Sequence, residues 1–123
     1  MSRQIITALA CHSLACLLFP VSTSLGLKAY ASLFGAPFSR GVAIGLAIQL
    51  IFAVFVLANS FIALITSLKA KIALTCTLVI ANLAYLLPQH PLRALFFAGL
   101  SGGLTCAAIS MAKRLAPCTQ PPR

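Results

Sequence analysis

The chain has 123 residues, 61% of them hydrophobic, and a mean hydropathy of +1.07; soluble domains hold only ~45–50% apolar residues, so the solvent is read as lipid. Nine Lys and Arg stand against no Asp or Glu, a formal charge of +9. With no carboxylate side chain there can be no paired acids for hydrolysis, no acidic proton relay and no Asp or Glu to hold magnesium. The same absence excludes proton-coupled export through a membrane glutamate, as small multidrug transporters use it.

The first apolar run, about residues 5–27, follows Arg3. Ala29-Tyr30-Ala31 offers a signal-cleavage pattern, but the run exceeds the ~7–15 residues of a signal core and Lys28 interrupts it before the cut. An uncleaved helix is expected, kinked at Pro20, with Ser22, Thr23 or Ser24 satisfying freed carbonyls. Lys28 to Arg40 reads as an interfacial segment around the Gly35-Ala36-Pro37 breaker, with Tyr30, Phe34 and Phe38 at headgroup depth.

The second helix, 41–68, carries no charge and is longer than the ~20 residues needed to cross a bilayer. It begins with Gly41 and Gly45 and holds Gln49, Asn59 and Ser60. Lys69-Ala70-Lys71 is expected to form a tight turn at one membrane face before a third helix, 72–87. Thr75 and Asn82 share a face of that helix and are expected to pair with Gln49 or Asn59 across the hairpin, because amides in lipid need partners. Pro88-Gln89-His90-Pro91 makes a turn, since proline cannot continue a helix.

The fourth helix, 92–112, centres on Gly99-Leu100-Ser101-Gly102-Gly103. Small residues recur at 98, 102, 106 and 110 and again at 99, 103 and 107, the four-residue spacing that lets helix backbones approach in lipid. Gly99, Gly102 and Gly103, with Gly41 and Gly45, are therefore expected to pack against other helices. Residues 113–123 form a short basic, proline-containing tail. The fold class is an all-α membrane protein: one polytopic domain, a four-helix transmembrane bundle made of two helical hairpins.

Five cysteines, Cys11, Cys16, Cys76, Cys106 and Cys118, form no loop cluster, and an odd count argues against a disulfide framework. His12 and Cys16 share a helical face, but two ligands on one helix need two more from elsewhere, so no metal and no cofactor is assigned. No Ser-His-acid or Cys-His-acid set can form without an acid, and no enzymatic activity is expected. Gly102-Gly103-Leu104-Thr105 resembles a glycine-rich stretch of small fluoride channels, which are also small four-helix proteins. The stretch lies here in the last helix rather than the third, and the chain lacks the family's N-terminal glycine and arginine pattern, so no function is carried over.

Cations occur singly or in pairs, without a basic face or an aromatic platform, which favours the lipid bilayer over nucleic acid as their partner. With four spans, Arg3, Lys69, Lys71, Lys113, Arg114 and Arg123 share one side and Lys28, Arg40 and Arg93 the other. The positive-inside rule then places both termini in the cytoplasm of a bacterial inner membrane. The functional expectation is an accessory or interaction protein packing against a membrane-protein partner. The alternatives are a small homo-oligomeric channel or transporter for a neutral or anionic solute, with Gln49, Asn59, Thr75 and Asn82 as polar lining, and an immunity-type protein against a membrane toxin.

Overall fold

The computed structural model describes residues 3–35 and 41–116, and the surroundings of residues 41–44 are left aside. Four helices account for almost all of it: α1 (Arg3–Phe34), α2 (Gly41–Leu64), α3 (Leu68–Leu86) and α4 (Pro91–Leu115). Each is long and apolar enough to cross a membrane. The expected residues Pro37, Phe38 and Arg40 of the first connection, and the end of the tail from Pro117, lie outside the described residues.

Four boundaries differ from the sequence reading by three residues or more; one is the end of α4, which runs to Leu115 rather than Ala112, so Lys113 and Arg114 lie in its last turn and not in the tail. Helix α1 does not stop at Leu27 but continues to Phe34. Nothing between Lys28 and Phe34 breaks a helix, and termination comes at Gly35, whose φ of 83° is the left-handed conformation that glycine adopts after a helix end. At 1.5 Å per residue α1 is about 48 Å long against a ~30 Å hydrocarbon layer. Lys28 to Phe34 is thus helix, not an irregular interfacial segment. None of Ser22, Thr23 and Ser24 bonds a carbonyl freed by Pro20 among the described residues, and the Thr23 hydroxyl is buried without a partner.

Helix α2 ends at Leu64 rather than Leu68, and residues 65–67 make the connection. Ile65 still donates to the Phe61 carbonyl, and Ser67 is extended, with no side-chain cap bond, just before α3 begins. Lys69 and Lys71 consequently lie in the first turn of α3, not in the turn before it. Two cations at a helix N-terminus oppose the helix dipole, so their position is not explained by helix capping. The earlier start gives α3 19 residues, about 28 Å, instead of a span near the short limit. Pro91 occupies the first turn of α4, where its missing N–H costs nothing, and Leu86 accepts from both Gln89 and His90 in the turn before it.

The helices pack as a ring. Helix α4 makes the most extensive contacts, equally with α1 and α3, followed by α1 with α2, while α2 with α3 is the thinnest of the four interfaces. The core changes character along its length. Near the Arg3 end α1 and α4 meet through Ala8, Cys11, Ala15, Ala108 and Ala112. Toward the other end Phe19, Ile51, Phe55, Leu78, Leu86, Ala94 and Phe97 fill a wider space, with Phe19 stacked 4.5 Å from Phe55.

Candidate functional site

Between these two apolar regions lies a layer of buried polar side chains contributed by all four helices. Asn59 on α2 is fully buried. Its Nδ2 donates to the Phe55 carbonyl at 2.9 Å and to Thr105 Oγ1 on α4 at 3.3 Å, while its Oδ1 lies 2.8 Å from His12 Nδ1 on α1. Thr105 donates its own hydroxyl hydrogen to the Ser101 carbonyl at 2.8 Å, which leaves Oγ1 as the acceptor for Asn59. One turn along α4, Ser101 Oγ accepts from Asn82 Nδ2 of α3 at 3.0 Å and donates to the Ala98 carbonyl at 3.2 Å.

The directions of these bonds define the state of His12. An amide oxygen only accepts, so Nδ1 carries the hydrogen, and in the neutral imidazole Nε2 is left as a bare acceptor. Nε2 is buried without a hydrogen-bond partner. The ring borders a crevice between α1 and α2 of about 300 Å³, to which Ser13, Cys16, Asn59 and Ser60 also contribute.

The layer joins the four helices through hydrogen bonds between their side chains. It contains no acid and no activated hydroxyl, because Ser101 and Thr105 each donate to a carbonyl of their own helix. Among the described residues no three His, Cys, Asp or Glu side chains gather to hold a metal. Cys11 is buried and Cys16 half-buried, while Cys76 and Cys106 are exposed.

The structure places the sequence candidates unevenly. Asn59, Thr75 and Asn82 are buried, but the expected pairing across α2 and α3 is corrected: both amides bond to α4, and Thr75 bonds to the Lys71 carbonyl of its own helix at 2.8 Å. Gln49 is exposed beside a crevice of about 310 Å³ lined by Pro20, Thr23, Ser24 and Phe52, and it meets neither Thr75 nor Asn82.

The glycines divide similarly. A Cβ at Gly102 would lie 2.9 Å from Val79 Cγ2, so Gly102 does sit against α3. Gly99 and Gly103 are exposed, and a Cβ at either would meet nothing within 4 Å; the helix contact expected of them is not made among the described residues. Gly45 is likewise open, and the surroundings of Gly41 lie outside what is described.

Sequence reading missed Ser101 and Thr105 as the acceptors of the layer. The available signal was the spacing of Ala94, Ala98, Ser101, Thr105, Ala108 and Ala112, all buried. Steps of four and three alternate through this set, the heptad rhythm of a helix packed between neighbours, whereas the four-residue stripe ending in Gly99, Gly103 and Ala107 lies outside it. Gly26 was also missed: a Cβ there would fall 2.2 Å from the Phe96 ring, so the ring is seated directly on the α1 backbone.

No family model, curated protein or solved structure matches this chain.

Proposed function

We propose that the protein is a multi-pass membrane protein that acts by packing against a membrane-protein partner, without chemistry of its own. The observation that carries this reading is that the buried amides bond within the bundle while a row of small residues on α4 stays exposed. Asn59 and Asn82 are consumed by bonds within the bundle, whereas Gly99 and Gly103 face outward in a row with exposed Cys106, Ala107 and Ser110. Lipid tails give helices no hydrophobic reason to associate, so close approach over small residues is what favours helix contact there. The channel reading has less support, because three of its four lining residues point into the bundle and bond or pack there.

Localisation to a bacterial inner membrane with both termini cytoplasmic rests on charge. Among the described residues Arg3, Lys69, Lys71, Lys113 and Arg114 fall at one end of the bundle, and Lys28 and Arg93 at the other. A periplasm-active reporter fused after Arg123 stays silent under this topology, and a strongly active fusion overturns it.

A photo-crosslinking residue placed at Gly103 or Ala107 in native membranes tests the function. The expected result is a discrete adduct from these positions and none from Leu57, a lipid-facing position on α2. Selective flux of an anion or small neutral solute through liposomes holding the purified protein would overturn the reading.

A further inference from the structure

At the end of the bundle opposite Arg3, α1 and α4 enclose a crevice of about 170 Å³ lined by Gly26, Leu27, Tyr30, Leu92, Arg93, Phe96 and Phe97. Its walls are apolar because Gly26 has no side chain and Phe96 lies over it, while Phe96 meets Phe97 edge-on at 5.3 Å. Arg93 is the one cation on this lining and is half-buried. Its guanidinium has no hydrogen-bond partner among the described residues, and the chain contains no Asp or Glu that could supply one.

A guanidinium presents five donors in a planar fork suited to two phosphate oxygens. Removing it partly from water without a counterion is unfavourable, and with no Asp or Glu side chain in the chain the site favours an anion supplied from outside. The lining selects what kind of anion. Leucine and phenylalanine side chains beside the charge suit a molecule with an acyl chain continuous with its phosphate, and the position near the ends of α1's apolar run and of α4 puts the charge at headgroup depth.

We propose that this crevice is a binding site for an anionic phospholipid, with the phosphate on Arg93 and the first part of an acyl chain against Leu27, Leu92, Phe96 and Phe97. The site is separate from the Gly99 and Gly103 face and does not depend on a protein partner.

The test uses the full chain in neutral detergent and follows thermal unfolding and lipid retention by native mass spectrometry. Short-chain phosphatidylglycerol, phosphatidylcholine of the same chain length and inorganic phosphate are added in parallel. Phosphatidylglycerol is expected to bind about tenfold more tightly than phosphatidylcholine, because both present a phosphate to Arg93 but the choline cation repels the guanidinium and cancels the lipid's net charge, and inorganic phosphate is expected to give no shift. Arg93→Gln should abolish the preference. Lys28→Gln, which removes the same charge at the same end from an exposed residue outside the crevice, should retain it. Equal affinity for the two lipids in the unmodified protein overturns the proposal. So does an equal loss in both variants, which would mark general surface charge, or an equal shift with inorganic phosphate, which would mark a free-anion site. If Arg93→Gln does not fold, Arg93→Lys decides: the charge is kept but the fork is lost, and an undiminished preference would count against the site.

Discussion

The two faces of α4 carry similar residues and have opposite fates. One face presents Ala94, Ala98, Ser101, Thr105, Ala108 and Ala112 to α1 and α3 and is buried; the other presents Gly99, Gly103, Cys106 and Ala107 and is exposed. Small size alone therefore does not say which face packs. The buried face differs in two respects. Its spacing alternates between four and three residues, keeping a seam aligned over the whole helix, and its two hydroxyls receive the amides of α2 and α3. Close approach and hydrogen bonding reinforce each other there, because a short interhelical distance brings Asn59 and Asn82 within reach of α4.

The contrast breaks most sharply by overfilling the buried face. Ala108 is 3% exposed in the tight contact with α1, and Ala108→Leu forces the helices apart. A loss of about 3 kcal/mol or more is expected, at the upper end of overpacking costs, read as unfolding in detergent.

Asn59→Leu comes next. It removes the group joining α1, α2 and α4 and leaves the His12 Nδ1 hydrogen without its acceptor. Interhelical bonds in membranes average ~0.6 kcal/mol and reach ~1.7, so about 2 kcal/mol is expected for two such bonds and a stranded donor. Asn82→Leu, which ends a single bond to Ser101, should cost about 0.6 kcal/mol. Because the two amides bond to different residues of α4 rather than to each other, the double variant should be additive within ~0.5 kcal/mol. Strong coupling in the measured cycle would show that the amides act as a direct pair.

The smallest effect is expected on the exposed face. Gly103→Leu meets open space, and stability of the isolated protein should change by less than about 0.5 kcal/mol, while crosslinking from Ala107 in native membranes is lost. A destabilisation matching that of Ala108→Leu would remove the distinction between the faces.

Four apolar helices were legible in the sequence because lipid imposes a length and a composition on anything that crosses it, and these conditions are local. The break at Pro88 was legible because proline cannot continue a helix, though Pro91 belongs to α4 and not to the turn, and the need of Asn59 and Asn82 for partners was legible from their chemistry. Helix ends were less so: the charges at Lys69 and Lys71 set the expected end of α2 four residues too late, and the charge at Lys28 set that of α1 seven residues too early, ahead of the Gly35 stop. The choice of partners belonged to the tertiary structure alone. Asn59 can donate and accept, and which groups it meets depends on how far each helix rotates and slides, quantities set by packing elsewhere in the bundle, such as that of Ala8 and Ala112. Likewise Gly102 packs and Gly103 does not, although they are adjacent, because a step of one residue turns the backbone by about 100°, and only the placement of α1 and α3 around α4 decides which of the two directions is inside.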